Sequence, residues 1–273
     1  MSTHGAAFDN TLGQSATHVS VHRSDRLRRI LDVLQERDSV SLEALTAELG
    51  VSAATVRRDL SSLDDRGLLL RTHGGARALE VTTEIPEPLR NTSFRESKRR
   101  IALRALSLIP TGRHAVAVSG GTTTAEVARA LGNRLDLTVV TNSLSIALEC
   151  AARPRLKVIM TGGVVRPSSF EAVGPLSENT FHAINVGTAI LGTDGISAAG
   201  GATTHDDTEA RTNNAMVSAA QRVIVVADAS KVGRITLAQM ARLDQIDDLV
   251  TDADADPSEL ERIESAGVRV HRV

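Results

Sequence analysis

A segment rich in glycine and hydroxyl side chains has the composition of an anion-binding turn. It reads Ser-Gly-Gly-Thr-Thr-Thr over residues 119–124 and follows a short apolar run that we interpret as a strand. Backbone amides at the start of a helix bind phosphate because the helix dipole is positive there. The segment matches neither the dinucleotide fingerprint nor the lysine-bearing P-loop, so we expect no cofactor, and an ordinary strand-to-helix turn is the alternative. The candidate contacts are Ser119, Gly120, Gly121, Thr122, Thr123 and Thr124.

Cationic side chains follow two other apolar runs of the same region. Arg166 and Lys231 could neutralise a phosphate, and Lys231 is the one lysine at the end of a predicted strand. Lys98 and Lys157 fall within a predicted helix and a predicted strand, where we expect solvated side chains. The segment His-Asp-Asp at residues 205–207 could bind a metal, but it lies at a predicted helix start, where an aspartate cap is favoured.

Two adjacent arginines lie on a short amphipathic helix in the first quarter of the chain. Val56, Leu60 and Leu63 fall on one face of this helix. At about 100° per residue, Arg58 lies on the opposite face and Arg57 on its flank. Arginine can bind guanine or phosphate with two hydrogen bonds, and small neighbours allow close approach to a major groove. Those neighbours are Ala54, Thr55 and Ser62.

Caps and turns around this helix indicate a winged helix-turn-helix domain over residues 23–77. Ser41 and Ser52 are good N-caps, and Gly50 can end the helix between them. An upstream helix, capped by Ser24 and running to about residue 37, supplies further apolar residues. Gly67 is expected to end the second helix, and the strand that follows turns basic before a glycine pair, like a wing. The predicted DNA contacts are Ser41, Ser52, Ala54, Thr55, Arg57, Arg58, Ser62, Arg71, His73 and Gly74.

The overall charge does not point to nucleic acid. The chain of 273 residues carries a formal net charge of −2. Residues 23–77 contain ten arginines and nine acidic residues, so the domain falls short of the usual basic character of DNA-binding domains. Only the local arrangement is cationic, and we therefore expect modest non-specific affinity with a steep dependence on salt.

The second half of the chain alternates short apolar runs with helical segments. Strands are predicted at residues 114–119, 137–141, 156–161, 188–191, 222–228, 248–251 and 268–271. This alternation indicates an α/β domain with a mostly parallel sheet, whose ligands bind beyond the carboxyl ends of the strands. The predicted organisation is a disordered tail at 1–22, the winged domain at 23–77, a linker at 78–93 and the α/β domain at 94–273.

The cysteine count and the polarity of the chain limit the possible redox chemistry and compartment. The single cysteine, Cys150, excludes an internal disulfide and lies in an apolar helical segment, so we expect it to be buried. The chain shows no long apolar run, and its first 22 residues are too polar for a signal peptide. We therefore expect a cytoplasmic protein without a membrane partner.

Taken together, several segments resemble DeoR-type bacterial transcription regulators. The N-terminal segments are Thr-Val-Arg-Arg-Asp-Leu at 55–60 and Arg-Thr-His-Gly-Gly-Ala at 71–76. The C-terminal segments are the turn at 119–124, Thr-Asn-Ser at 141–143, Thr-Gly-Gly-Val-Val-Arg at 161–166, Gly-Thr-Asp-Gly-Ile at 192–196 and Ala-Asp-Ala-Ser-Lys-Val-Gly at 227–233. The resemblance covers nearly all of residues 24–251. It departs at Ser119, where the family often has aspartate.

The resemblance implies a sensor domain related in fold to ribose-5-phosphate isomerase. Residues 119–124 would hold the phosphate of a sugar phosphate, and Asn142, Asp194 and Lys231 would meet its hydroxyls and remaining charge. The motifs add Gly163 and Glu209 to the candidates. An isomerase needs a carboxylate base and a lysine, so sugar-phosphate isomerase activity is an alternative. We expect no enzymatic activity, because a DNA-reading domain is attached and the family uses this fold as a sensor; the fold alone does not imply an activity.

The implied function is regulation of a carbohydrate-metabolism operon, more specifically repression. The partners would be double-stranded operator DNA and a small-molecule effector, a phosphorylated sugar that releases the protein from DNA. One small winged head buries little surface, so we expect a homodimer or homotetramer on a repeated or palindromic operator. A DNA-binding structural protein without an effector is a third reading.

Overall fold

The computed structural model describes residues 12–79, 84–90, 94–132 and 134–273. The chain divides into two compact units, Met1–Ser93 and Phe94–Val273. The division coincides with the predicted start of the α/β domain. Within the described ranges, no helix is both long enough and apolar enough to cross a membrane.

The N-terminal unit consists of three helices and a small sheet. Its elements are α1 (Leu12–Arg37), β1 (Ser39–Ser41), α2 (Leu42–Leu49), α3 (Ala53–Asp64), β2 (Leu70–Thr72) and β3 (Gly75–Arg77). The Ser41 and Ser52 hydroxyls cap α2 and α3, and Gly50 ends α2 in the left-handed conformation. The core contains apolar residues from all three helices, among them Leu27, Ile30, Leu45, Val56, Leu60 and Leu63. The predicted winged helix-turn-helix is confirmed.

Helix α1 is longer than the sequence predicts. It begins at Leu12, so the prediction of a disordered tail is wrong for residues 12–22, and residues 1–11 lie outside the described part. Ser24 is consequently inside the helix and not its cap. Once packing of Leu27 and Ile30 has nucleated a helix, extending it costs little, and residues 12–22 contain no proline to stop it. Helix α3 ends at Asp64, three residues before the predicted Gly67.

The wing contains a strand that the sequence did not reveal. Strand β3 pairs with both β2 and β1, in the order β1-β3-β2, and all pairs are antiparallel. The backbone of β1 passes so close to Gly75 that a Cβ there would lie 2.0 Å from the Val40 carbonyl oxygen. Gly75 is therefore required by close backbone approach.

Replacing Gly75 with alanine should disrupt this sheet, because Val40 contributes a backbone atom that no rotamer change can move. We expect a loss of about 2 kcal/mol or more in local stability. Faster hydrogen–deuterium exchange in residues 39–77 would report it. Gly74→Ala is the matched control, since a Cβ at Gly74 meets nothing within 4 Å. Equal exchange in the two variants would contradict the close approach.

Part of the predicted linker packs onto the winged domain. A short helix, α4 (Glu87–Arg90), lies in this segment, and Leu89 is buried in the same core as Leu27 and Leu69. The linker prediction for 78–93 is therefore wrong for this portion, because an apolar side chain within reach of a core gains free energy by burial. Residues 80–83 and 91–93 lie outside the described part.

The C-terminal unit is built on a seven-stranded sheet. Its strands are β4 (His114–Val118), β5 (Leu137–Thr141), β6 (Lys157–Met160), β9 (Thr188–Gly192), β12 (Val223–Val226), β14 (Asp248–Thr251) and β15 (Arg269–Arg272). Their order is β15-β14-β12-β9-β4-β5-β6, and every pairing is parallel. All seven predicted strands are confirmed, with ends within two residues of the prediction.

Helices cover both faces of this sheet. One face packs on α5 (Arg95–Leu108), α6 (Thr122–Leu131) and α7 (Leu144–Ala151), and the other on α8 (Pro175–His182), α9 (Asp207–Ser218) and α10 (Pro257–Ser265). Successive strand residues alternate between the two cores, as Val116 and Val118 do against Ala117. Strands buried on both faces read as continuous apolar runs, which is why they were predictable.

Short strands outside the main sheet were not predicted. They are β7 (Val164–Val165), β8 (Ala172–Val173), β10 (Gly195–Ser197), β11 (Gly201–Thr204) and β13 (Ala238–Ala241). Strands β7 and β8 form a hairpin, and β10, β11 and β13 form an antiparallel sheet. They contain two to four residues, many of them small or hydroxylated, so they carry no usable hydrophobic periodicity.

Candidate functional site

The exposed side of α3 and the wing together present the predicted DNA contacts. Ala54, Arg57 and Arg58 are exposed, while Val56 and Leu60 are buried on the other side of the helix. Arg58 Nε donates to the Ala54 carbonyl oxygen over 3.3 Å, which limits the freedom of the guanidinium. The predicted face is therefore a solvent-facing one.

Several predicted contacts also have structural roles. Ser52 Oγ accepts from the Thr55 amide at 3.3 Å and lies 3.0 Å from the Thr55 hydroxyl. Ser41 Oγ accepts from the Ala44 amide at 3.1 Å. Both serines hold helix starts, so their hydroxyls are committed within the protein. Ser62 and Thr55 are half-buried.

The wing lies beside the end of α3. The Arg71 amide donates to Asp64 Oδ1 over 3.3 Å, and its guanidinium donates to Ser61 Oγ over 3.4 Å. Arg71, His73 and Gly74 are exposed. These bonds fix the base of the wing to α3, so the wing and the helix form one surface.

A buried ion pair that the sequence reading missed anchors α3 to α1. Asp59, 2% exposed, accepts from Arg26 Nε at 2.5 Å and from Arg26 Nη2 at 3.1 Å. The hydrogen bond to Asp59 raises the pKa of Arg26. Within the Arg-Arg-Asp-Leu segment, the two arginines therefore face solvent and the aspartate positions their helix. The helical spacing could have revealed that Asp59 is buried, since it is adjacent to the buried Leu60 and three residues after Val56.

In the C-terminal unit, the predicted effector residues gather at the carboxyl edge of the sheet. Residues 119–124 follow β4, Asn142 follows β5, Gly163 and Arg166 follow β6, and Asp194 follows β9. Lys231 ends a short 3₁₀ helix after β12. Because these strands are parallel, their exits share one edge.

The turn between β4 and α6 is buried or half-buried, and two of its hydroxyls form hydrogen bonds within the protein. Gly121 is the N-cap of α6, with φ of 123°, and provides no capping side chain. Ser119 Oγ accepts from the Gly192 amide at 2.9 Å, and Thr124 Oγ1 donates to the Gly121 carbonyl over 2.9 Å. Ser119 therefore ties β4 to β9. The Gly120 amide donates to the Glu171 carboxylate.

An ionic network joins four of the predicted effector residues. Arg166 pairs with Glu209, and its Nε lies 3.3 Å from Asp206 Oδ2. The Lys231 ammonium lies 3.7 Å from Asp194 Oδ1. Thr204 lies between two of these carboxylates: its Oγ1 is 2.6 Å from Glu209 Oε1 and 3.1 Å from Asp194 Oδ2. The hydroxyl has one proton to donate, so it bonds one of these two carboxylates at a time.

Two other predicted effector residues, Asn142 and Gly163, are uncharged. Asn142 is fully buried, and its Nδ2 donates to Asn213 Oδ1 over 3.4 Å. Its Oδ1 has no hydrogen-bond partner within the described part of the chain. Gly163 has φ of 141°, and a Cβ there would lie 2.7 Å from the Val173 carbonyl oxygen. Gly163 is thus explained by close packing of the β7–β8 hairpin.

Three expectations about individual side chains can be assessed. The prediction that Lys98 is solvated is wrong, because it is 4% exposed, whereas Lys157 is exposed as predicted. Lys98 shares its spacing with Ile101 and Ala105 on the buried face of α5, which was the available signal. Asp206 caps α9 by accepting from the Glu209 amide at 2.8 Å, which confirms the cap. Cys150 is buried as predicted, and burial raises the pKa of its thiol to about 11.

Comparisons with known proteins cover both units. Residues 26–82 match the DeoR-like helix-turn-helix domain, and residues 93–253 match the DeoR C terminal sensor domain. The HTH-type transcriptional regulator GlpR of Haloferax volcanii is 40% identical over 248 residues, covering 90% of this chain and 96% of that protein. The glycerol-3-phosphate regulon repressor of Escherichia coli is 32% identical and covers 85% of this chain and 91% of that protein.

A solved ribose 5-phosphate isomerase from Methanocaldococcus jannaschii is 16% identical, covering 51% of this chain and 55% of its own, with a TM-score of 0.36. That likeness is too low to support an argument about activity. The two family matches agree with a helix-turn-helix domain followed by a larger C-terminal domain. The chain therefore belongs to the DeoR family and is a DNA-binding transcription regulator.

Proposed function

We propose that this regulator represses a carbohydrate-metabolism operon and leaves its operator when a phosphorylated sugar or polyol binds the C-terminal unit. The observation that carries the proposal is the convergence of an anion-binding turn with Arg166 and Lys231 at one edge of the sheet. The name of the Escherichia coli relative, a glycerol-3-phosphate regulon repressor, supports a phosphorylated effector of this class.

The polar residues around the turn suit a ligand with hydroxyl groups. Asp194 and Glu209 are nearly buried carboxylates that can accept hydrogen bonds from hydroxyl groups, and the Thr204 hydroxyl is such a donor to Glu209. The buried Asn142 Oδ1 could accept one further hydrogen bond from a ligand hydroxyl. A sugar or polyol phosphate provides both the anion and the donors.

Coupling to DNA would operate through the arrangement of two or more heads. One winged head contacts a single half-site, so tight specific binding requires a dimer or a tetramer. The effector would favour the arrangement in which the heads no longer match the operator spacing. The cytoplasm is the compartment in which operator DNA and phosphorylated sugars meet.

The experiment is fluorescence anisotropy of labelled DNA from upstream of the protein's own gene, titrated with protein at fixed salt. Glycerol 3-phosphate, ribose 5-phosphate and fructose 1-phosphate are then added, each beside its unphosphorylated counterpart. We expect release by at least one phosphorylated compound and by none of the counterparts. Tight binding that no compound disturbs would contradict the sensor proposal.

Isomerase activity is the second candidate, because Asp194, Glu209 and Lys231 lie in one network. Two carboxylates and a lysine are the residue types that aldose–ketose interconversion uses. Incubating the purified protein with ribose 5-phosphate and measuring the ketose product distinguishes an isomerase from a regulator that has no catalytic activity. We expect no turnover above the uncatalysed rate, and turnover abolished by Asp194→Asn would establish the enzyme.

A further inference from the structure

Glu171 accepts a hydrogen bond from an amide that the anion-binding turn would otherwise offer to a ligand. The Gly120 amide donates to Glu171 Oε1, and the Glu171 side chain is 2% exposed. A Cβ added at Gly120 would lie 2.5 Å from Glu171 Cγ and 2.6 Å from Oε1. The carboxylate is thus packed directly over the turn, and the turn binds an anion that belongs to the protein itself.

The residue that provides this carboxylate is distant in sequence. Glu171 is 51 residues from Gly120 and lies directly before β8, in the β7–β8 hairpin. Helix α6 has no side-chain cap at Gly121, and the Glu171 carboxylate accepts from the amide of the residue directly before that N-cap. A long-range contact of this kind couples the turn to the position of the hairpin.

A second observation points to a ligand beside Glu171. The amide of Ala172, the next residue, donates to the Asn142 carbonyl oxygen over 2.7 Å. The Asn142 side chain is fully buried, and its Oδ1 has no hydrogen-bond partner among the described residues. Buried acceptors are normally satisfied, so this oxygen is a place where a ligand could donate a hydrogen bond.

The hairpin that carries Glu171 is short and contains one residue in an unfavourable backbone conformation. Strands β7 and β8 contain two residues each. Phe170, directly before Glu171, has φ of 53°, a left-handed conformation that is unfavourable for a residue with a side chain. The same hairpin carries Arg166, which pairs with Glu209. Moving Glu171 would therefore also disturb the ionic network around Glu209.

We propose that Glu171 is a built-in competitor for the phosphate of the effector. Its carboxylate occupies the turn, and a phosphate must displace it, together with the β7–β8 hairpin, to reach the Gly120 amide. A phosphate dianion displaces a carboxylate more readily than a monoanion does, because its charge is higher. Glu171 thus sets both the selectivity for phosphate and the effector concentration to which the sensor responds. This inference rests on the proposed function, since it assumes that the turn binds the effector phosphate.

The test is the Glu171→Gln variant of the full chain, titrated with inorganic phosphate and then with glycerol 3-phosphate by calorimetry. Glutamine keeps an oxygen that can accept from the Gly120 amide but removes the negative charge. We expect the variant to bind inorganic phosphate roughly tenfold more tightly or better than wild type, because like-charge repulsion is removed. The concentration of an effector that half-releases labelled DNA should fall by a similar factor.

Glu178→Gln is the matched control, since Glu178 lies in the first turn of the neighbouring helix α8 and undergoes the same chemical change. It should bind phosphate as wild type does. Glu171→Asp serves as a second variant if glutamine impairs folding, because it keeps the charge but shortens the side chain and draws the carboxylate away from Gly120. We expect it to bind phosphate with intermediate affinity.

Each outcome has one meaning. Equal or weaker phosphate binding by Glu171→Gln would overturn the competitor role while leaving the sensor proposal intact, provided that wild type responds to phosphorylated compounds. If neither protein binds phosphate or any phosphorylated compound, both the inference and the proposed effector class fail.

Discussion

The Arg58→Ala variant is expected to lose roughly 10- to 100-fold in operator affinity while retaining the melting temperature of wild type. Arg58 is exposed on the face of α3 opposite the buried Val56 and Leu60. One arginine bound to guanine through two hydrogen bonds contributes about 1–3 kcal/mol to discrimination. The bond from Arg58 Nε to the Ala54 carbonyl oxygen orients the guanidinium before binding, so its removal loses an organised contact.

Anisotropy titrations at several salt concentrations separate a base contact from a phosphate contact. A base contact at Arg58 predicts a larger loss on the operator than on unrelated DNA. Arg57, on the flank of the helix, is expected to contact phosphate, so Arg57→Ala should lower the salt slope by about one. Arg99→Ala, a change at an exposed arginine of α5, is the control and should bind the operator as wild type does. Unchanged affinity in Arg58→Ala would remove α3 as the reading helix.

The Asp248→Ala variant should produce the largest loss of stability in the C-terminal unit. Asp248 is fully buried at the start of β14 and accepts hydrogen bonds from Arg222, Arg269 and His271 at 2.8, 3.1 and 2.8 Å. Removing one partner of a buried ion pair costs about 3–5 kcal/mol. We expect about 3 kcal/mol, because the Arg269 side chain is 63% exposed and can be solvated. This corresponds to a fall of about 10 °C in melting temperature.

The effect should depend on pH in a defined direction. Burial by itself raises the pKa of Asp248, but hydrogen bonds from Arg269, His271 and Arg222 outweigh it and hold the pKa below the ordinary value. The folded protein thus favours the carboxylate more than the unfolded chain does. The stabilisation is complete above the unfolded pKa of about 3.9 and is lost as pH falls through the folded value.

Thermal unfolding followed by circular dichroism between pH 3 and pH 7 measures both effects, since the chain has neither tryptophan nor tyrosine for fluorescence. The difference between wild type and Asp248→Ala should be constant from pH 7 to pH 5 and should narrow below about pH 4. Asp244→Ala removes an exposed partner of Arg242 and is the control, with little change expected. A pH-independent difference would show that Asp248 acts by packing alone.

Local sequence patterns were sufficient for most of the architecture. The spacing of Val56, Leu60 and Leu63 predicted the buried face of α3, and short segments rich in apolar residues predicted all seven strands of the main sheet. Ser41, Ser52 and Asp206 were identifiable as helix caps because a cap acts within three residues of itself. For the same reason, strands that depend only on contacts between distant residues were not predicted. Strands of two or three residues have no period to detect, and β1 is defined only by its pairing with β3.

At the candidate effector site, the residue types were readable but their contacts were not. The parallel sheet required the strand exits to share one edge, so Arg166, Asp194 and Lys231 could be placed together in advance. Nothing in the sequence indicated that Glu171 covers Gly120, whereas the spacing of Lys98 with Ile101 and Ala105 was a signal of its burial that our interpretation missed.

The sequence by itself determined a winged helix-turn-helix, a parallel α/β domain and the resemblance to one family of regulators, because caps, periodicity and motifs act over a few residues. Only the tertiary structure decided the cluster of Arg222, Arg269 and His271 on Asp248, the anchoring of Asp59 by Arg26 and the occupation of the anion-binding turn by Glu171. These contacts join residues 21 to 51 positions apart. The physical reason is that packing of the two cores sets their geometry, and no local pattern encodes which distant side chains then meet.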